Sequence, residues 1–307
     1  MVYAFSPFKF GHEAVIIFFV LSGFVIHLKQ SDRNYNLDDF KILAYFKKRV
    51  IRIYPTLLIS FVLCITLDYF IYLFIHPSFQ DIFSKYNLSG FLFNLFLIPD
   101  APIWGHNFPV WSLKHEWFFY LSYPLILLLS SRSYIAAILT ITILYLSYLL
   151  GFRIPYVGPA AYTLTVWSLG CLLANLYKNN KFTKYVPYLL FLILIYPFLS
   201  KSDQYYPISD LVFGLVVMGG LSIIILYKRS LINSILTRFA WLGTFSYSIY
   251  LLHSPFLNFY QSVILKYEHT LPYHLWFVLL SIIITIPVIY LIYYFTERLA
   301  VSYKRKI

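Results

Sequence analysis

Apolar positions in this chain come in long runs, broken by short polar stretches, with little of the alternation that marks strands. A helix that crosses a hydrocarbon layer about 30 Å thick needs about 20 mostly apolar residues. Nine runs approach that length: 13–28, 54–75, 116–131, 134–151, 160–177, 186–200, 208–227, 245–265 and 275–296. They predict an all-α fold, a polytopic transmembrane helical bundle of nine spans. The apolar run 91–99 is too short to cross and suits a re-entrant or interfacial segment. The stretch 76–115 holds Pro77, Pro99, Pro102 and Pro109 and is predicted to be mostly loop. With no fixed-period repeat and no low-complexity tract, residues 1–307 read as a single integral-membrane domain.

Composition strengthens this reading. Hydrophobic residues make up 60% of the 307 positions, aromatics 21% and charged residues only 12%. A soluble domain carries about 25% charged residues. The net charge of +12 would point to nucleic acid in a soluble protein. Here the cations fall in short loops between apolar runs, so they report topology and contact with membrane lipid, with no nucleic-acid partner. If the loop 29–53 is cytoplasmic, 18 of the 24 Lys and Arg residues fall on that side, as does the C-terminus. Nine spans then place Met1 outside, which predicts one further helix ahead of the sequence, ten in all. No basic segment or small-residue cleavage site marks a removable signal peptide. Cys64 and Cys171 sit in separate apolar runs, so both are expected to be structural, with neither a disulfide nor a metal site.

Four short segments carry candidate chemistry. In Trp111–Pro124, Ser112 stands where a helix N-cap would stand, and Glu116, Tyr120 and Tyr123 share one helical face. A carboxylate at the bilayer rim, backed by phenols, is suited to act as a general base on a hydroxyl. The alternative is an anion favoured by the dipole in a first helical turn, with Trp111 and Trp117 as an interfacial belt. Arg49 and Arg52, three apart, share a face that would grip phosphate through bidentate forks, or else they form an ordinary cytoplasmic flank. Ser22-Gly23 either lets a neighbouring backbone approach or lines a cavity. Ser246, Tyr250 and His253 form a polar stripe on an apolar helix, where His253 either orients an acceptor or satisfies a tyrosine. His12 reads as interfacial. Asp68 stands midway along an apolar run, and the sequence gives it no role.

Taken in order, these segments resemble the membrane acyltransferase 3 family of bacterial acyl-CoA-dependent O-acyltransferases. The resemblance rests on Phe18-Phe19-Val20-Leu21-Ser22-Gly23-Phe24, on Lys48-Arg49-x-x-Arg52-x-x-Pro55, on Trp111-Ser112-Leu113-x-x-Glu116-x-x-Phe119-Tyr120-Leu121, and on Ser246-Tyr247-x-x-Tyr250-Leu251-x-His253-x-Pro255. Such proteins usually open with one more helix carrying an arginine and a histidine, in line with the helix that the charge count predicts. The resemblance implies transfer of an acyl group, commonly acetyl, from acyl-CoA to a carbohydrate or lipid-linked glycan in the bacterial inner membrane, with no tightly bound cofactor. It assigns Glu116 and His253 to catalysis and Arg49 and Arg52 to the donor. Ser22, Gly23, Trp111, Ser112, Tyr120 and Tyr250 would bind substrate. A transporter or flippase for a lipid-linked sugar would share the apolar bundle and polar stripes, though neither an internal repeat nor paired broken helices support it. A third alternative is an inactive, truncated relative.

Overall fold

The computed structural model describes residues 10–32, 37–75, 84–178, 185–200, 206–227, 231–268 and 275–298. Among these the regular structure is helical, with no strand. The α-helices in chain order are α1 (Gly11–His27), α2 (Ile42–Phe74), α3 (Leu88–Leu95), α4 (Val110–Arg132), α5 (Tyr134–Leu149), α6 (Ala160–Lys178), α7 (Tyr196–Leu199), α8 (Tyr206–Leu226), α9 (Leu231–Arg238), α10 (Ser246–Glu268) and α11 (Leu275–Phe295). Two of them, α2 and α8, are long and apolar enough to cross a membrane. The chain forms two compact units. One contains Ile42–Leu113 and Phe239–Ile307, the other Phe10–Lys41 and Lys114–Arg238, so the boundary falls within α4.

In the second unit the closest packing is between α1 and α6. A β-carbon on Gly23 would collide with the carbonyl oxygen of Trp167, and one on Gly170 with that of Val20. The two glycines thus let the helix backbones touch from both sides. Phe19, Phe119 and Trp167 fill the space beside this contact and are wholly buried. The Phe19 and Phe119 rings meet edge to face at 5.0 Å. The run 186–200, expected as a span, is instead a 3₁₀ helix over Val186–Leu194 followed by the single turn α7. Pro187 and Pro197 explain the split: each lacks an amide hydrogen and sits at the start of its own element, so no continuous ladder forms across Pro197.

In the first unit α10 packs against α2 and α11 against α10. The Tyr247 hydroxyl donates to the Ile53 carbonyl at 3.0 Å and ties α10 to α2. Helix α2 begins at Ile42, twelve residues before the predicted span, so Lys47–Arg52 are helical and continuous with the apolar run. At about 1.5 Å per residue its 33 residues reach about 50 Å. The predicted loop 76–115 holds α3 and the start of α4; Pro77 and the rest of 76–83 lie outside the described residues, as does the C-terminal segment Lys304–Lys306. Helix α3 is only eight residues, about 12 Å, too short to cross, and the Asn87 side chain caps it by accepting from the Gly90 amide at 2.6 Å.

Candidate active site

Helix α4 starts at Val110, directly after Pro109 and three residues earlier than a Ser112 cap would have placed its first residue. Ser112 is therefore not an N-cap. It lies in the first turn, where its hydroxyl meets the Pro109 carbonyl at 3.1 Å and the Tyr250 hydroxyl at 2.5 Å. Glu116 becomes the seventh residue of α4, beyond the first turn in which a helix dipole acts strongly. The dipole does not account for its position.

Side-chain partners account for it instead. Glu116 is buried, 5% exposed. Its Oε1 accepts from the Ser22 hydroxyl at 3.3 Å and from the Tyr120 hydroxyl one turn further along α4. The Ser22 oxygen in turn accepts from the Trp167 indole N–H at 3.4 Å. Ser22 stands five residues before the end of α1, and Trp167 eight residues into α6. The carboxylate is thus buried among side chains of α1, α4 and α6 in the second unit. The neighbouring His115 is buried and meets the Thr163 hydroxyl at 3.2 Å. Gly23 follows Ser22 on the same helix, but the space over its α-carbon is taken by Trp167, so it serves helix packing and offers a ligand no room there. His12, expected to be interfacial, pairs with Asp210 at 2.7 Å.

In the first unit the predicted polar stripe of α10 divides into separate contacts. Ser246 is exposed and donates to the Gly243 carbonyl at 3.1 Å. Tyr250 turns to Ser112 and, at 3.4 Å, to the Pro109 carbonyl. His253 donates from Nδ1 to the Tyr250 carbonyl at 2.7 Å, which assigns the lone pair to Nε2. Ser246, Tyr250, His253 and Leu257 line the α10 side of a cleft of about 670 Å³, and Ile286 and Ile289 of α11 line the other. Trp111, at the head of α4, is half-buried.

Arg49 and Arg52 lie one turn apart on the basic third of α2. The Arg49 guanidinium stacks 5.1 Å from the centre of the Tyr45 ring, also one turn away. Arg52 is exposed and acts electrostatically on Glu297, which follows α11. Burial raises the Glu297 carboxyl above its ordinary range, while the Ser248 hydroxyl, donating at 2.8 Å, and the Arg52 charge oppose the rise. Arg52 therefore already faces one anion belonging to the protein.

The sequence missed a buried polar cluster of the first unit, built around Asp68. This carboxylate is 2% exposed. It accepts from the Tyr86 hydroxyl at 2.5 Å, from His106 Nδ1 at 2.7 Å and from the Asn258 amide at 3.1 Å. Burial, together with the nearby Cys64 and Asp68, pushes the Tyr86 phenol up and keeps it protonated as a donor. Gly105, at φ 66°, makes the turn that delivers His106, and a β-carbon there would strike the Tyr86 ring. The one signal in the sequence was a carboxylate in an apolar run. Cys64, one turn away, touches the same carboxylate through its sulfur at 3.8 Å. Both cysteines are free and buried, and among the described residues no group of acidic, His and Cys side chains has metal-binding geometry.

Residues 2–294 match the sequence profile of a family described as an acyltransferase domain. Over 117 residues the chain is 29% identical to the acyltransferase MdmB of Streptomyces mycarofaciens, covering 38% of this chain and 28% of that protein. Over 262 residues it is 27% identical to a protein of Acidianus two-tailed virus provisionally named as an acetyltransferase, ORF330, covering 81% of this chain and 74% of that one. No solved structure matches. Because the profile match runs almost from end to end and takes in each of the four motifs, the chain belongs to the acyltransferase 3 family.

Proposed function

We propose that this protein is an integral-membrane O-acyltransferase that moves an acyl group, acetyl in the first instance, from acyl-CoA to a hydroxyl of a cell-surface or lipid-linked carbohydrate. The observation that carries the reading is the family match over residues 2–294. In this proposal α2, α8 and the shorter apolar helices cross the bacterial cytoplasmic membrane, with the basic segment Lys47–Arg52 and the C-terminus on the cytoplasmic side.

Glu116 is the general base. It takes the proton of the acceptor hydroxyl as that oxygen attacks the thioester carbonyl carbon. The carbon–sulfur bond then breaks, and the CoA thiolate leaves and recovers a proton. Ser22 and Tyr120 hold the carboxylate at Oε1 and so fix its direction. Arg49 and Arg52 bind the donor phosphates, for which paired guanidinium groups on one helical face are suited. In the first unit, Trp111, Ser112, Tyr250 and His253, whose tautomer is set by a backbone carbonyl, are the groups suited to bind substrate.

The test uses the purified full chain in lipid nanodiscs with radiolabelled acetyl-CoA and a panel of bacterial polysaccharides. The expected result is label in the glycan with an equal release of CoA thiol, lost in Glu116→Gln. Transport of a lipid-linked sugar without thiol release from any acyl-CoA would overturn the proposal.

A further inference from the structure

Trp167 meets the Ser22-Gly23 pair twice, wholly within the second unit. Its carbonyl oxygen lies where a side chain on Gly23 would stand, so the backbones of α6 and α1 touch at this level. Its indole N–H reaches the Ser22 oxygen at 3.4 Å. The backbone contact sets the reach of the second one, because any side chain at position 23 would drive Trp167 away. The indole ring is wholly buried. Its centre lies 5.7 Å from the Phe119 ring and 5.7 Å from the Tyr123 ring. Both follow Glu116 on α4, by three and seven residues, and share its helical face. The ring that carries the N–H is therefore held against the same helix as the carboxylate.

An indole N–H donates and cannot accept. Ser22 must accept from it and send its own proton elsewhere. A serine inside a helix can return that proton to a carbonyl of its own preceding turn. Ser130 and Ser168 do so, donating to the carbonyls of Leu127 and Thr165 at 2.9 Å and 2.7 Å. Ser22 instead donates across to Glu116 Oε1 at 3.3 Å, and the Tyr120 hydroxyl donates to the same oxygen. The chain from Trp167 through Ser22 to Glu116 thus runs in one direction, set by the member that cannot reverse.

We propose that Trp167 is a positioning residue for acyl transfer. By occupying the Ser22 oxygen it commits the Ser22 proton to Glu116 and holds the carboxylate in one orientation. The inference rests on Glu116 being the general base, as proposed above, and adds a residue that acts on it only through Ser22.

The test measures thiol release from acetyl-CoA by the full chain in lipid nanodiscs, with the polysaccharide panel as acceptor. Trp167→Phe keeps a ring beside Phe119 and Tyr123 but lacks the N–H. Its kcat is expected to fall about two- to tenfold, the yield of one neutral hydrogen bond, with KM for acetyl-CoA unchanged. Ser22→Ala should cost more, about ten- to a hundredfold, because the bond it removes ends on a charged group. In the Ser22→Ala background Trp167→Phe should cause no further loss, whereas in Ser22→Thr, which keeps a hydroxyl, the loss should return. Equal losses with and without the Ser22 hydroxyl are the mark of a packing role and overturn the inference alone, as does unchanged kcat in Trp167→Phe. Full activity of Glu116→Gln overturns the base reading and this inference with it. If Trp167→Phe does not fold, indole N–H resonances of the parent and of Ser22→Ala decide the matter: one should move, and an unmoved set overturns the contact.

Discussion

Gly23 and Trp167 meet backbone to backbone: the carbonyl oxygen of Trp167 occupies the place that a side chain on Gly23 would need. Glycine at position 23 is therefore a packing requirement of α1 against α6. Gly23→Ala must push the two helices apart. Overpacking of this kind costs about 1–3 kcal/mol, with more expected where backbone is the obstacle. A lower thermal midpoint in detergent, together with early loss of the folded peak in size-exclusion chromatography, is the expected outcome. Gly170→Ala, which meets the Val20 carbonyl, should behave the same way.

The next Ser22 contact predicts a different kind of defect. Glu116→Gln keeps the shape of the side chain and can still bond to Ser22 and Tyr120. Thermal stability should therefore change little, while acyl transfer falls by about 10²–10⁴-fold, the usual contribution of a positioned base. Tyr120→Phe removes one donor to the carboxylate and should reduce turnover by a smaller factor. Parallel assays of thiol release and unfolding would separate these effects. Full activity of Glu116→Gln would end its role as base.

Asp68 should matter for stability. In Asp68→Ala, Tyr86, His106 and Asn258 all lose one acceptor at once. Each buried donor left unsatisfied costs about 1–3 kcal/mol, and the three losses will not simply add. Urea unfolding should place this variant among the least stable. Asp68→Asn, which keeps one oxygen, should fall between it and the parent.

Glu297 gives a pH dependence of defined sign. Its carboxyl is raised in the folded protein above the ordinary 4.5. A raised group contributes stability below its unfolded value, and that contribution is lost as pH rises through the folded value. Between the two the parent should lose stability with rising pH, while Glu297→Gln, which does not titrate, should lack this component. Arg52→Gln removes the charge that opposes the rise and should move the transition to higher pH. Melting curves across the acidic range would check all three.

The arginine pair is tested by affinity. Arg49→Gln combined with Arg52→Gln should weaken CoA binding and flatten its dependence on salt, because two phosphate-facing charges are gone. Unchanged affinity and salt dependence would discard the donor assignment.

Apolar length located most helices well. The runs 160–177 and 208–227 became Ala160–Lys178 and Tyr206–Leu226 within two residues at either end. The method fails where helicity and hydrophobicity part company. Residues 42–53 are helical although polar, and 186–200 is apolar yet divided by proline. The site shows the same division. The Glu116–Tyr120 pair lies one turn apart and could be read from spacing, whereas Ser22 lies 94 residues from Glu116 and came through its neighbouring glycine. The partners of Asp68 lie 18, 38 and 190 residues away, and no local pattern joins them.

Pro55 stands inside α2, directly after the basic third and before the long apolar remainder. A proline there cannot donate to the carbonyl four residues back, and its ring crowds the preceding turn. The ladder of α2 is therefore one hydrogen bond short at the point where the turns that carry the guanidinium groups meet the apolar turns.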